Sequence, residues 1–191
     1  MANGKVTTGF SKPYVAVYAA SGTTITYSSG QVLARGVDVA IAPETSDDNN
    51  FYADNVIAEV VASEFTGGTL TLTVDGLLPA AEKLIYGLPD ASGDWTAYGD
   101  DMTIPYVGVG FIIRQQNAGV VTYTPVVLAK CKFNLAETNA ATQEEDIDWQ
   151  TQSLEATILR GDDANRTWKF LGSEYATEAA AEAALQTKLG I

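Results

Sequence analysis

Two long apolar runs joined by a short polar link constrain this chain more than any other stretch. They cover residues 106–113 and 120–133, and the link ends in Asn117-Ala118-Gly119. Asn and Gly tolerate left-handed backbone angles, so the pattern predicts a β-hairpin with a short loop, which can carry a bulge. Neither alternate face of residues 106–113 is polar. Both sides of that strand should therefore be covered, by the core, by a neighbouring subunit or by one of each.

Gly108 and Gly110 stand two residues apart in this strand and share one face. Glycines in a strand usually mark a bulge or a close approach of other atoms, so a second layer is expected to pack very near the sheet. The pair does not form a phosphate-binding loop, because Phe111 continues the strand where such a loop would open a helix.

Alternating and β-branched stretches predict further strands. The predicted hairpins join residues 13–20 to 23–27, residues 56–65 to 69–75 across Gly67-Gly68, and residues 151–160 to 166–171. Residues 31–42 form one more predicted strand, with a bulge at Gly36.

Two helices are predicted. Helical spacing follows Gly76, with Pro79 in the first turn and Gly87 near the end, and this short helix should cap the sheet edge or one end of a barrel. An independent, alanine-rich C-terminal helix is expected at about 177–189, with Thr177 as its N-cap.

These elements predict one mainly β domain over residues 1–191, an antiparallel β-sandwich or split barrel with a short flanking helix and a C-terminal helix. Long loops are expected at residues 43–55, 89–104 and 134–150. Loops of that length in a compact domain are usually functional, so they are expected to contact neighbouring subunits.

Charge and composition exclude several classes of protein. The 191 residues include 24 acidic and 11 basic side chains, for a net charge of −13, which argues against a protein that grips nucleic-acid phosphates. An apolar fraction of 46% excludes wholesale disorder. No apolar signal segment and no run of eighteen apolar residues occur, which predicts a soluble cytoplasmic product without a membrane anchor and leaves signal-independent export open.

The sequence offers few groups for catalysis. It has no histidine and a single cysteine, Cys131, which excludes Ser-His-Asp and Cys-His catalysis and predicts neither a metal site of those ligands nor any cofactor. Acidic clusters lie at residues 47–48, 100–101, 144–148 and 162–163. They could supply a glycosidase pair or a calcium site, but none has calcium-loop spacing, and solvated loop charge is the favoured interpretation.

Three tryptophans, Trp95, Trp149 and Trp168, are scattered along the chain without a common period. Core or interface anchors are favoured over a sugar-stacking platform.

The order of several segments supports a family resemblance. These are the 14–27 hairpin, Pro43-Glu44, Phe51-Tyr52-Ala53-Asp54-Asn55, Val107-Gly108-Val109-Gly110-Phe111 and Gln152-Ser153-Leu154. Together they make nearly the whole chain resemble the major tail protein, the tail-tube subunit, of long non-contractile-tailed bacteriophages. The tube of type VI secretion uses a related fold.

The resemblance implies hexameric rings that stack into a tube through which the genome passes, with no catalytic residues. It implies that the partners are further copies of the chain and other tail proteins (tape measure, tail terminator and distal tail protein), and that DNA passes without specific binding. The implied location is the virion tail, and the host cytoplasm during assembly. An acidic lumen would repel DNA phosphates, which agrees with a conduit.

The polar face of the predicted 56–65/69–75 hairpin is the candidate lumen lining, because a closed sheet around a lumen needs strands that alternate between a wet and a dry face. Its proposed residues are Glu59, Ser63, Thr69, Thr71, Thr73 and Asp75, and the proposed assembly residues in the third long loop are Glu144, Glu145, Asp146 and Asp148. An ordinary solvent-facing hairpin on the outside of the ring explains the alternation equally well. A receptor-binding or adhesion β-sandwich is the competing class of protein, and a carboxylate-based glycoside hydrolase ranks last.

Overall fold

The computed structural model describes residues 4–47, 49–53, 56–61, 63–90, 92–142 and 149–191, and it confirms a mainly β fold with two helices. The elements are β1 (Val6–Ser21), β2 (Thr24–Val32), β3 (Gly36–Thr45), β4 (Asn49–Ala53), β5 (Val56–Val61), β6 (Phe65–Val74), α1 (Pro79–Tyr86), β7 (Val107–Asn117), β8 (Val120–Phe133), β9 (Gln152–Leu159), β10 (Lys169–Leu171) and α2 (Glu178–Leu189).

One open antiparallel sheet of eight strands dominates the fold. Its order is β2-β1-β7-β8-β9-β6-β3, and β10 pairs with β8, while β4 and β5 form a separate two-stranded sheet. The large sheet curves so that β1 approaches β3, and the Phe10 ring of β1 lies against Gly36 at the start of β3. Strands from both halves of the sheet therefore bury their side chains in one core, as the sandwich or split-barrel prediction requires.

The central hairpin is confirmed. Asn117 pairs with Val120 across Ala118 and Gly119, whose φ angles of 47° and 85° are those of a two-residue hairpin turn of the primed type. The turn itself carries no bulge. The register shift lies at the other end of the hairpin, beside Val107.

Both faces of β7 are covered, and the chain itself supplies both covers. Phe111 faces the main core, whereas Ile112 joins a second apolar cluster with Leu185 of α2. A Cβ atom on Gly110 would lie 2.6 Å from Leu185 Cδ1, and one on Gly108 would lie 2.4 Å from the Tyr27 ring. The predicted close second layer is therefore confirmed, and the prediction that the C-terminal helix is independent is wrong.

The helix ends follow the predicted signals. Pro79 stands in the first turn of α1, and Gly87 closes that helix with a φ of 60°. The Thr177 hydroxyl accepts a hydrogen bond from the Ala180 N–H, 3.3 Å away, at the start of α2, and Gly190 ends that helix with a φ of 66°.

The predicted hairpin of residues 56–65 and 69–75 is wrong. β6 runs without a break through Gly67 and Gly68 and pairs with β3 and β9, while β5 pairs with β4. Neither glycine has a positive φ. A Cβ atom on Gly68 would lie 2.8 Å from the Ala42 carbonyl oxygen, so this glycine serves the close approach of β3 and not a turn.

Three further boundaries differ from prediction. The prediction of a hairpin between residues 151–160 and 166–171 is wrong, because β10 pairs with β8 and not with β9. The ring of Trp168, just before β10, stacks on Phe65 at 4.5 Å. The predicted 31–42 strand is divided at Leu33, whose N–H donates to the Pro13 carbonyl, although the register shift at Gly36 is confirmed. The predicted 43–55 loop is mostly strand, because β3 continues to Thr45 and β4 follows.

The other two long loops keep their predicted character where they are described. Residues 89–90 and 92–104 contain neither helix nor strand apart from a bridge between Ser92 and Trp95. Residues 134–142 and 149–150 are likewise irregular, and residues 143–148 lie outside the described part of the chain.

Candidate functional site

The outer surface of the curved sheet has two unlike halves. α2 covers the half made by β1, β7 and the first part of β8, while β9, β6 and β3 present a bare surface. On β6, Leu70, Leu72 and Val74 are fully buried, and the threonines between them point outward. Alternation along β6 is thus confirmed, and it gives this half of the sheet a dry inner side and a wet outer side.

Strand register assembles the outward side chains into one surface. Thr71 lies between Ala40 and Glu155, and Thr73 lies between Asp38 and Ser153. We call this surface the polar face; its members are Asp38, Ala40, Ala42, Thr69, Thr71, Thr73, Ser153, Glu155 and Thr157. This face carries two carboxylates, Asp38 and Glu155, and next to it lies one cation, Lys132, opposite Thr157 on β8. The polar face therefore carries a small negative charge and many hydroxyls.

Asp75 extends the acidic character just beyond β6. Its carboxylate accepts hydrogen bonds from the Arg35 side chain and from the Arg35 backbone N–H. The hydrogen bond from the guanidinium is the main cause that holds the pKa of Asp75 below its usual value. The carboxylate stays charged in any neutral solution, and its partner neutralises it locally.

Not all proposed lumen residues lie together. Thr69, Thr71, Thr73 and Asp75 belong to β6 or follow it, whereas Glu59 lies in β5, paired with Phe51 in the separate sheet. Ser63 lies between the two strands and is exposed. In the described structure β5 pairs with β4 and not with β6, so Glu59 belongs to a different sheet from the threonines of β6. Residues Glu144, Glu145, Asp146 and Asp148 lie outside the described residues.

We call the separate two-stranded sheet the arm; it consists of β4 (Asn49–Ala53) and β5 (Val56–Val61). Hydrogen bonds lie at its base, where β3 ends and β6 begins. The Ser46 N–H donates to the Glu64 carbonyl at 2.8 Å, and the Glu64 N–H donates to Ser46 Oγ at 3.0 Å. The Arg160 guanidinium also donates to the Phe65 carbonyl. The chain segments that lead into and out of the arm are therefore bonded to each other and to the large sheet.

By sequence the arm is rich in large apolar residues: Phe51, Tyr52, Val56, Ile57, Val60 and Val61. A two-stranded hairpin alone is at best marginally stable in water, and it usually requires a third strand or a covering layer. Sequence reasoning missed the arm, although the aromatic pair at 51–52 inside a supposed polar loop was the available signal.

A groove of about 640 Å³ borders the polar face, between residues 134–139 and the start of β9. Four carboxylates, those of Asp75, Glu82, Glu137 and Glu155, lie on its walls, and no Lys or Arg is among its described lining residues. The Ala136 N–H donates to the Tyr86 hydroxyl at 3.2 Å, which fixes one wall to α1. The groove continues the acidic surface beyond the strands.

Two of the long loops expose a tryptophan. Trp95 is 82% exposed and Trp149 is 83% exposed, whereas Trp168 packs on Phe65. The core interpretation thus holds only for Trp168. Large exposed aromatics are typical anchors of protein–protein contacts, so these two mark surfaces suited to a partner. Tyr98 holds the first of these loops to α1 by donating to Glu82 at 2.6 Å.

The acidic pair at 162–163 has structural partners. Asp162 accepts hydrogen bonds from Lys130 at 2.7 Å and from the Tyr18 hydroxyl at 2.8 Å, and these bonds, chiefly that of Lys130, lower its pKa. Asp163 accepts from the Thr167 hydroxyl and N–H, which lowers its pKa too. Both carboxylates therefore brace the loop between β9 and β10.

Cys131 is fully buried, and desolvation raises the pKa of its thiol, so the thiol is protonated and shielded. Among the described residues, no three His, Cys, Asp or Glu side chains stand close enough to hold a metal ion.

Searches against protein-family profiles and against curated proteins find no match to this chain. Neither described helix combines the length and apolar character needed to cross a bilayer.

Proposed function

We propose that the chain is a structural subunit whose copies join into rings, and that the rings stack into a tail tube that conducts DNA. The polar face carries this proposal. It gives one half of a strongly curved sheet a hydroxyl-rich, weakly acidic surface with a dry core behind it, which is what the wall of a water-filled conduit requires.

The free edges of the sheet support assembly into rings. β2 ends the sheet on one side and β3 ends it on the other, and neither has a second strand partner among the described residues. An edge strand presents unpaired N–H and C=O groups that can join a strand from another copy. Joining the edges of successive copies would continue the sheet around a central axis, and closure of the ring removes the edges.

The charge of the surface favours a conduit over a DNA-binding protein. Asp38 and Glu155 outnumber the single Lys132 on the polar face, and the neighbouring groove adds further carboxylates. Like charges keep DNA phosphates from adhering, and the salt-dependent attraction that clustered Lys and Arg provide is absent from this described surface. DNA then passes without specific binding, and the subunit performs no catalysis.

The arm and the exposed Trp95 and Trp149 supply candidate contacts between subunits and between rings. Trp95 and Trp149 are exposed aromatic side chains on a protein of acidic composition, and partner contacts would cover them. The arm is rich in large apolar residues by sequence. In this proposal the other partners are the tape measure, tail terminator and distal tail proteins, and the subunit resides in the virion tail after assembly in the host cytoplasm.

Negative-stain imaging of the purified protein tests the class of assembly, and rings or tubes are the expected result. Uniform monomers or trimers that bind a surface ligand would instead favour the adhesion module.

Cysteine labelling tests the position of the polar face. Thr71→Cys should react rapidly with a bulky maleimide in the monomer and be strongly protected in tubes, because the bulky reagent is excluded from the lumen. Ala179→Cys, on the exposed side of α2, is the matched control and should react in both states. Equal labelling of Thr71→Cys in both states would refute a lumen position.

A further inference from the structure

A small apolar groove lies between α2 and β10, on the side of the sheet opposite the main core. Its volume is about 310 Å³, and Val127, Phe170, Leu171 and Leu185 are among its lining residues. Leu171 is 68% exposed, although it belongs to a strand. Binding pockets span roughly 300–1,000 Å³, so a groove at the small end of this range suits one large apolar side chain.

Charge distinguishes the groove from the rest of this acidic protein. Lys188 is one of its lining residues, and its Nζ lies 3.8 Å from the centre of the Phe170 ring. Lys188 forms no ion pair within the described residues, and no Asp or Glu is among the described lining residues. A complementary occupant therefore brings an apolar side chain with a carboxylate beside it.

Trp95 is held out to solvent on an ordered turn. The Ser92 N–H donates to the Trp95 carbonyl at 2.9 Å, and the Trp95 N–H donates to the Ser92 carbonyl at 3.5 Å. Gly93, the first residue of this two-residue turn, has a φ of 65°. The indole of Trp95 is 82% exposed. Because the turn is already formed, less conformational freedom is lost when the indole binds a partner.

The loop around Trp95 has the charge that the groove lacks. Residues 87–104 include Asp90, Asp94, Asp100 and Asp101, and no Lys or Arg. Asp90 pairs with Lys83, whereas Asp94 directly precedes Trp95 and forms no ion pair within the described residues. Trp95 and Asp94 together offer an apolar side chain with a carboxylate beside it.

The anchor and the groove lie on opposite sides of the sheet. Tyr98 bonds the loop to Glu82 of α1, and α1 packs Ile85 in the main core. Val127 and Leu185 of the groove belong to the second apolar cluster, on the other side. A Trp95 side chain that enters the groove therefore comes from another copy.

We propose that Trp95 of one copy inserts into the α2–β10 groove of a second copy, with Asp94 beside Lys188. Every copy carries both the anchor and the groove, so the contact is heterologous and can repeat around a ring or along a stack. This inference rests on the proposed function, because it assigns one contact of the proposed assembly.

Charge reversal tests the pairing of Asp94 with Lys188. Asp94→Lys and Lys188→Asp should each raise the protein concentration needed for assembly about tenfold in light scattering, and the double variant should restore assembly close to wild type. Lys169→Asp is the matched control, because Lys169 lies in β10 but does not line the groove, and it should assemble normally. Circular dichroism verifies that each variant is folded.

Cross-linking tests the docking without relying on charge. Copies with Asp94→Cys mixed with copies carrying Ala184→Cys, in the groove, should form disulfide-linked dimers of the two chains. Ala179→Cys, on the exposed side of α2, should not replace Ala184→Cys in this reaction. Adding Trp95→Ala to the first copy should abolish the cross-link, whereas adding Trp149→Ala, at an equally exposed tryptophan, should preserve it.

The outcomes separate this contact from the assembly itself. Rings or tubes that form without the cross-link, or a cross-link that depends on Trp149 and not on Trp95, overturn the docking and leave the proposed function standing. Single charge reversals that both assemble like wild type also overturn it. A wild-type chain that forms no assembly at any concentration overturns both proposals.

Discussion

Replacement of Gly87 by alanine should destabilise the domain more than the same replacement at Gly22, although the two glycines have nearly the same backbone angle. Their φ values are 60° and 58°. An L-residue in this left-handed region loses roughly 1–2 kcal/mol at either position. What differs is the space around the new methyl group.

At Gly22 an added Cβ meets no atom within 4 Å, whereas at Gly87 it would lie 1.9 Å from the Thr103 carbonyl oxygen and 2.6 Å from the Thr103 carbonyl carbon. These are backbone atoms at the end of the 89–104 loop, so no side chain can rotate to relieve the clash. Forced overpacking of this kind typically costs about 1–3 kcal/mol. We therefore expect a total loss of about 2–5 kcal/mol for Gly87→Ala and about 1–2 kcal/mol for Gly22→Ala.

Urea unfolding of the unassembled protein measures both losses. At an m value of ~3 kcal/mol/M, the additional 1–3 kcal/mol places the midpoint of Gly87→Ala roughly 0.3–1 M below that of Gly22→Ala. Equal midpoints would refute the reasoning, because they would show that the loop does not press against the end of α1.

Two further predictions concern titratable groups. The Tyr14 hydroxyl donates to the Glu182 carboxylate at 2.6 Å, and this bond, followed by Lys12, holds the pKa of Glu182 below its usual 4.5. The carboxylate should therefore stabilise the docking of α2 above pH 4.5 and lose that effect as the pH falls through its folded-state pKa. In thermal unfolding from pH 7 to 3, Glu182→Gln should be less stable than wild type at pH 7 and should converge with it in acid. The control Glu174→Gln, at an exposed carboxylate, should differ little from wild type at any pH. If the stability of Glu182→Gln stayed below that of wild type by the same amount at every pH, the assignment would be contradicted. Cys131, buried and with a raised thiol pKa, should resist maleimide in the native protein and react fully in urea; rapid native labelling would show that the β7–β8–β9 core opens.

Local patterns in the sequence determined the strands and helices that depend on near neighbours. Alternation identified the buried side of β6, and the turn between Asn117 and Val120 followed from residues that tolerate positive φ. Pro79, Gly87 and Thr177 marked helix ends because capping acts within a few residues. Gly110 also indicated that a second layer packs close to the sheet, but it did not indicate which element supplies that layer.

Strand partners were decided only by the tertiary structure. Gly67-Gly68 looked like a turn, but Gly68 permits the close approach of the Ala42 carbonyl, and a turn glycine and a packing glycine are identical in sequence. β10 joined β8 because Trp168 and Phe170 bury their rings against Phe65 and the α2 cluster, contacts between residues far apart in the chain. The arm was hidden for the same reason. Its pairing of β4 with β5 depends on register across two strands that the sequence assigned to different elements, and β-propensity records the tendency to form a strand without recording the partner.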